Sequence, residues 1–528
     1  MGMWSFYFIA KMYLYYNGSI HIDVFWNILF LVFIVLPAPK MVAGRRAFTI
    51  WRVIVNLSLA FFLLWHDSWL PPFFEAGAHL NEQGMPSLGY IIYFLAGFFS
   101  LSGVIILSLL LLGCYLFRNF RIMAGVVAVL LLMPLIPPLL GIGQSQMAEA
   151  EPQAIQKTEK IEDLNKYVES FYGAESDRVI LFKQGQGRAY FDIVIMHVCS
   201  LSWDDLKDIA MLDNPFFKQF DYMLTGFNTV TAYSNPAVMR LFQANCGQRP
   251  HDDIHKTNEI SKACLLFESL NLLGYETSVS MNHDGKYGNF TDEIKKYGLG
   301  NAPTFMPSGT NNTSVFFDNS PLYNDYSMLE KWWKARLSSK SAKAALYYNT
   351  VNLHAGSHWS DEKKWWTRDR KDQYKDVTSV LLTDISKFIG TLKASGRNVV
   401  VVFVPEHGRA LHGNAIQGPD LRDIPLPRIT KAPVGIKFIG PKFNNVAVNQ
   451  QIISKPTSYL AVSWMLSKFI ENSPFGDKPM SADDIKNKIP KTDFVNENQG
   501  NKIVEIEGKY YYYGKEKKWL RLTPEQLN

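Results

Sequence analysis

Residues 191–203 read FDIVIMHVCSLSW, an apolar, β-branched run from Phe191 to Val198 that stops directly at a cysteine. A run of this kind suits a strand buried on both faces, as in the middle of a parallel sheet. A second run, 398–408 (NVVVVFVPEHG), has the same character and ends at Glu406 and His407. A third, 344–351, leads to His354, with His358 four residues on. Helical patterning over 376–395 separates two of these runs, and strands alternating with helices favour a largely parallel α/β sheet. In such sheets ligands bind beyond the carboxyl ends of the strands. Cys199, Glu406 and His407 would then share one rim, and thiolate, carboxylate and imidazole are the three ligand chemistries of zinc. A lone His or Glu after a strand is usually a cap or a surface residue. The joint pattern is what carries the expectation.

Working outward, Ser234 in TAYSNPA precedes a helical pattern, so its hydroxyl would lie near a helix N-terminus, where anionic groups such as phosphate are favoured. His251 and His255 have an i, i+4 spacing that suits a metal, but their polar loop reads as surface. Trp332, Trp333, Trp359, Trp365 and Trp366 sit among polar residues. Tryptophan is ordinarily core, and stacking on sugars is the alternative reading. Near the C-terminus, IVEIEGKYYYY followed by KEKKWLRL has the alternating texture of a β-hairpin, read as a structural appendage.

The chain has 528 residues, more than one core usually supports. Its first third is crowded with apolar stretches at 22–37, 48–65, 90–117 and 122–142, each near the ~20 residues that span a bilayer. A shorter segment, 4–16, contains Lys11 and either spans obliquely or lies in the interface. Lys40, Arg45 and Arg46 mark one connection as cytoplasmic, and Arg118 with Arg121 another, whereas 66–89 carries no Lys or Arg. By the positive-inside rule everything after about Gly143 is therefore outside. These patterns predict a membrane domain over 1–143 with four to five spans. A polar linker helix over 144–176 and an exported α/β domain over 177–528 follow. A net charge of +6 without a basic, aromatic-interleaved block excludes a nucleic-acid surface.

Of four cysteines, Cys114 falls in a predicted span as a small packing residue. Cys246 and Cys264 bracket a short polar loop that a disulfide could close. Cys199 is left over, and from its own position it is open between core burial and metal ligation.

Taken together, VCSLSW at Cys199, TAYSNPA at Ser234, NLHAGSHW at His354, VPEHG at Glu406 and LRDIPLP at Arg422 resemble the bacterial cellulose phosphoethanolamine transferases of the alkaline-phosphatase superfamily. HDSWLPP at His66 and CGQ at Cys246 extend the resemblance over nearly the whole chain. The resemblance implies an alkaline-phosphatase/sulfatase-like domain of mostly parallel sheet flanked by helices, behind an inner-membrane anchor and facing the periplasm. It implies Ser234 as nucleophile, zinc held by Cys199, Ser234, Glu406 and His407, and a Cys246–Cys264 disulfide. It places His354 near the transferred group with His354 or His358 carrying a proton, Arg422 on phosphate or acceptor, and Tyr233 lining the site. Donor and acceptor would be phosphatidylethanolamine and cellulose, and the partners subunits of a cellulose-synthase complex. Asn235 and Ala355 stand where relatives of this kind are expected to carry Gly and Asp. Lipid A phosphoethanolamine transferases differ in using Thr as nucleophile and Glu in place of Cys199. A sulfatase would carry a C-x-P-x-R motif, whereas Cys199 continues as Ser-Leu-Ser. A phosphodiesterase of the same superfamily and a non-catalytic scaffold of a cellulose-synthase complex are the remaining readings.

Overall fold

The structure, a computed structural model, describes residues 4–16, 20–37, 46–68, 86–96, 101–116, 123–135, 153–154, 158–185, 189–256, 260–300, 302–306, 312–514 and 517–527. Lys40, Arg45, Arg118, Arg121, most of HDSWLPP and the start of the expected linker lie outside the described residues.

The N-terminal third folds into helices Trp4–Tyr16, Val24–Val35, Arg46–His66, Leu88–Ala96, Leu101–Leu116 and Met123–Leu132. Among the described residues one of them, Arg46–His66, is long and apolar enough to cross a membrane, while Val24–Val35 and Met123–Leu132 are apolar but shorter. The stretch expected as one span over 90–117 contains two helices. Trp4–Tyr16 packs Phe8 and Met12 against Phe30, Leu31, Val127 and Leu131. Its lysine is accommodated inside that apolar cluster because it is paired: Lys11 Nζ donates to Asp67 Oδ2 at 2.5 Å and to Asn27 Oδ1 at 2.8 Å.

A short strand β1 (Gln153–Ala154) precedes the helix Thr158–Ser176. There follow β2 (Asp192–Val198), β3 (Tyr222–Leu224), β4 (Glu276–Met281), β5 (Thr304–Phe305), β6 (Asn312–Val315), β7 (Pro321–Tyr323) and β8 (Ala344–Thr350). Then come β9 (His358–Trp359), β10 (Val399–Pro405), β11 (Val434–Ile439) and β12 (Gln451–Ile453). β13 (Val495–Asn498), β14 (Asn501–Ile506), β15 (Lys509–Tyr513) and β16 (Trp519–Arg521) complete the strands.

Eight strands form the central sheet in the order β12-β3-β11-β10-β2-β8-β4-β5. Neighbours run parallel except at β11, which is antiparallel to both β10 and β3. The expected mostly parallel sheet is therefore present, with one reversed strand inside it. Every residue of β2, β8 and β10 is buried. Alternation sends Ile193 and Ile195 to one face, over the helix Tyr459–Glu471, and Val194 and Met196 to the other, under the helix Arg370–Ala394. That second helix starts six residues before the sequence pattern over 376–395, because its first turn is polar and Asp369 caps it by accepting from the amides of Lys371 and Asp372.

The C-terminal hairpin exists as β14 and β15 but is not an appendage. It is the middle of a five-stranded antiparallel sheet, β1-β16-β15-β14-β13. The helix Thr158–Ser176, expected as part of a surface linker, docks on this sheet: Leu164, Val168 and Phe171 pack with Val495, Val504 and Trp519. Those three residues form a narrow i, i+4, i+7 stripe in an otherwise polar segment.

Cys246 and Cys264, 18 positions apart, are disulfide-bonded, while Cys114 and Cys199 are free and buried. Closing a loop of that size restrains the unfolded chain by about 3 kcal/mol. Replacing both cysteines with Ser should lower stability by about that amount, read from denaturant midpoints of the full chain in detergent.

The short helix Trp203–Asp208 opens with a capping box in which Asp205 accepts from the Ser202 amide (3.0 Å), the Ser202 hydroxyl (2.8 Å) and the Arg409 amide (2.7 Å). Burial pushes its carboxyl up to about 6. A raised folded-state pKa stabilises the protein below the unfolded value and loses that contribution as pH rises through about 6. Between about pH 4 and 7 the parent should lose up to about 3 kcal/mol relative to Asp205→Asn. Parallel pH profiles in denaturant melts of the two proteins would refute this.

Candidate active site

The register of the central strands builds the site. Pro405 pairs with Val198, and Val198 with Thr350, so β2, β8 and β10 end level. Cys199 is the first residue after β2, and Glu406 and His407 the first two after β10. One ligand atom from each of these three lies within 4.8 Å of the others, and all three side chains are buried. Ser234, first residue of the helix Ser234–Phe242, joins them: its Oγ is 3.1 Å from His407 Nε2 and 3.4 Å from Cys199 Sγ. Cys199 Sγ is 3.9 Å from His407 Nε2.

The backbone bends sharply around this cluster. Ser200 (φ 63), Val230 (φ 68) and Ala410 (φ 61) all adopt the left-handed region. Each such residue costs roughly 1–3 kcal/mol, most severely for a β-branched side chain, and such strain concentrates at functional sites. Gly408 allows the chain after His407 to pass close over Ser202, where a Cβ would lie 2.5 Å from the hydroxyl oxygen.

Electrostatics define what the cluster can hold. His407 Nδ1 is 2.8 Å from the Gly408 carbonyl, so it donates there and leaves the Nε2 lone pair facing Ser234 and Cys199. Glu406 Oε1 accepts from Asn349 Nδ2 at 2.6 Å, while its buried Oε2 has no hydrogen-bond partner among the described residues. Burial pushes the Glu406 carboxyl up to about 7 and, with the charge of Glu406, the Cys199 thiol up to about 12. Burial and then Arg422 hold His407 well below its usual range. With no cation the cluster thus favours neutral forms. A divalent cation would reverse the first two shifts, stabilising thiolate and carboxylate together. A nitrogen, a sulfur and an orphaned carboxylate oxygen converging beside a serine hydroxyl fit zinc.

Arg422 lies alongside. Its NH1 donates to Ser200 Oγ at 3.2 Å, and its buried Nε has no hydrogen-bond partner among the described residues. A half-buried guanidinium with an open donor next to the Ser200 hydroxyl is suited to a phosphoryl oxygen. The helix behind Ser234 adds to this, because Tyr233 at its N-cap makes no side-chain cap and leaves the first amides open. Tyr233 instead donates its hydroxyl to Asp423 at 2.6 Å, forming a wall beneath Arg422, whose guanidinium lies 5.9 Å from the ring.

His354 is enclosed by Phe316, Phe317 and Tyr287 at ring separations of 4.8, 5.4 and 6.4 Å, and its Nδ1 is 2.9 Å from the Ala355 carbonyl. Burial, then the charge of Arg422, push it down to about 3, so the ring is a neutral imidazole. His358 is placed differently: its ring stacks on Trp365 at 4.2 Å, and it makes no hydrogen bond to Ser234 or to the three donors. Trp332 and Trp333 are each 2% exposed and belong to the core, which removes them from any sugar surface. Trp365 is also buried, while Trp359 and Trp366 are half-buried. His255 is exposed and His251 half-buried in the loop between the bridged cysteines.

Sequence reasoning missed Asn349, Asp423 and Asn498. Asn349 had a signal, a polar residue near the end of an otherwise apolar strand, and Asp423 adjoins Arg422. Asn498 had none: it accepts from the Thr231 hydroxyl and the Ala232 amide and donates to the carbonyls of Arg422 and Asp423, tying the serine loop to the arginine loop.

Comparison with known proteins adds the family. Residues 147–519 match the model of the cellulose biosynthesis protein BcsG C-terminal domain, and residues 4–136 that of its N-terminal domain. Cellulose biosynthesis protein BcsG of Salmonella typhimurium is 29% identical over 537 residues, covering 96% of this chain and 94% of the relative. The Escherichia coli (strain K12) protein of the same name is 29% identical over 539 residues with the same coverage. Among solved structures, a protein in the alkaline phosphatase superfamily from Vibrio parahaemolyticus aligns at a TM-score of 0.47 and 12% identity, over 72% of this chain and 92% of that one. With both family models matched along nearly the whole sequence, this chain belongs to the cellulose biosynthesis protein BcsG family.

Proposed function

We propose that the chain transfers phosphoethanolamine from phosphatidylethanolamine to glucose 6-hydroxyls of nascent cellulose, through a covalent intermediate on Ser234. In this reading the domain over 177–528 works in the periplasm, residues 1–143 anchor it in the inner membrane, and subunits of a cellulose-synthase complex deliver the acceptor. The observation that carries it is the position of Ser234 Oγ, between His407 Nε2 and Cys199 Sγ and at an open helix N-terminus beside Arg422. Cellulose as acceptor is supported by family membership.

Cys199, Glu406, His407 and Ser234 would hold zinc, which when bound lowers the pKa of the serine hydroxyl. Ser234 Oγ forms a bond to phosphorus as the bond to the diacylglycerol oxygen breaks, and the proton given up by the serine hydroxyl ends on that leaving oxygen. In the second half a glucose 6-hydroxyl attacks the same phosphorus from the side opposite Ser234, and the bond to the serine breaks. We assign the role of accepting the hydroxyl proton, which ends on the released Ser234 Oγ, to the neutral His354. His358, stacked on Trp365, supports the loop that carries His354. Arg422 and the first amides of the helix Ser234–Phe242 bind the phosphoryl oxygens, on which charge is concentrated in the transition state.

Ser234→Ala should reduce transfer of labelled ethanolamine from lipid to glycan by at least about 10³-fold while leaving the melting temperature essentially unchanged. Transfer near the parent rate in that variant would rule the mechanism out. Metal analysis of the full chain should find close to one zinc per protein in the parent and almost none in Cys199→Ala. Equal zinc in both would return Cys199 to a packing role.

A further inference from the structure

The helix Leu88–Ala96 opens the apolar stretch read from sequence as a span, yet one side of it is committed to the α/β domain. The Ser87 amide donates to the Phe317 carbonyl at 2.9 Å. The Tyr90 ring packs 5.3 Å from that of Phe317. It also presses on Gly356 (φ +85), where a Cβ would meet it at 2.3 Å. Tyr93 is 2% exposed: Arg409 donates to its hydroxyl, Arg370 donates to its carbonyl and lies 4.3 Å over its ring, and Trp365 packs at 5.2 Å. The two arginines share the carboxylate of Asp420.

These contacts land on the two loops that carry site residues. Phe317 touches His354, and Gly356 is two residues beyond it. Arg409 is two residues after His407, and Asp420 two before Arg422. The other side of the same helix, Leu88, Ile91 and Ile92, is exposed at 73, 41 and 42%. The helix therefore divides into a tyrosine face at i, i+3 on the domain and an apolar face at i, i+3, i+4 left open, as an element between protein and lipid would.

We propose that Leu88–Ala96 is part of the frame of the active site, with Tyr90 and Tyr93 as positioning residues. They hold the His354 and Arg422 loops from the membrane side, so that Ser234 works at a fixed height at the bilayer surface. This rests on the reaction proposed above. A domain gripped in this way meets a lipid headgroup without first searching on a free tether.

The test uses the full chain in phosphatidylethanolamine/phosphatidylglycerol vesicles, with release of p-nitrophenol from bis-p-nitrophenyl phosphate as a soluble readout. Tyr90→Ala should lower kcat about ten-fold, since small displacements of positioned groups are costly, with KM, zinc content and melting temperature unchanged. Tyr90→Phe, which keeps the ring, should restore the parent kcat, and Tyr93→Phe should lower it through the lost Arg409 contact alone. In a separate variant, p-benzoylphenylalanine in place of Phe317 and a protease site in the 144–152 segment report docking directly. After irradiation and cleavage the two halves should migrate as one band. A Tyr90→Ala kcat within two-fold of the parent, or two separate bands, overturns the inference while leaving the transfer reaction standing. Parent-level hydrolysis by Ser234→Ala would instead overturn the reaction itself, whatever the bands show.

Discussion

The pairing of β2 with β10 is the constraint on which the site depends. The parallel ladder does not stop where the strands end: the Glu406 amide donates to the Val198 carbonyl at 2.8 Å, and the Leu201 amide donates to the His407 carbonyl at 2.6 Å. Those bonds carry sheet register into the loops that hold the thiol, the carboxylate and the imidazole. A one-residue slip would exchange the faces of every side chain on a strand that is buried on both sides. The apolar packing that fixes register, Val400 and Val402 on one face and Val401 and Phe403 on the other, is thus also what fixes the spacing of the cluster.

Strand ends alone would not aim these side chains, and the rest of the domain supplies the aim. The left-handed turns at Ser200, Val230 and Ala410 are sustained only because surrounding hydrogen bonds over-determine them. Asp205 binds amides on both sides of the cluster, at Ser202 and Arg409. From the opposite flank, β13 inserts Asn496 against the Pro425 carbonyl and the Thr430 hydroxyl, and Asn498 between the loops of Ser234 and Arg422. The C-terminal sheet is thereby a second wall of the site.

Legibility followed the range of the interactions. β2, β8 and β10 could be read because a doubly buried strand needs an unbroken apolar run, and that run is local. Cys199, Glu406 and His407 could be read because each comes immediately after such a run. The reversed direction of β11 could not, since a buried strand has the same composition in either orientation. The role of the C-terminal hairpin was hidden for a related reason: alternation announces β14 and β15, but the side chains that matter come from β13, whose sequence VNEN has no apolar pattern. His354 and His358 look alike in NLHAGSHW, and only packing separates the ring among Phe316, Phe317 and Tyr287 from the ring stacked on Trp365. The apolar N-terminal segments were read from composition, which measures hydrophobicity and not helix length. Of the described helices, one reaches crossing length.

The free cysteine ties these levels together. In an oxidising compartment, which the proposed location implies, an accessible thiol would be open to oxidation and to exchange with the Cys246–Cys264 bridge. Cys199 escapes because it is fully buried, behind a backbone turn and beneath Ser234. Burial for protection alone would call for apolar neighbours. Instead the thiol faces an orphaned carboxylate oxygen and an imidazole lone pair, groups costly to bury without a partner. A cation bound by all three would offset that cost and hold the buried thiol as a thiolate ligand. The buried polarity of the three side chains is therefore what fits them to a metal, and the Ser234 hydroxyl lies directly beside them.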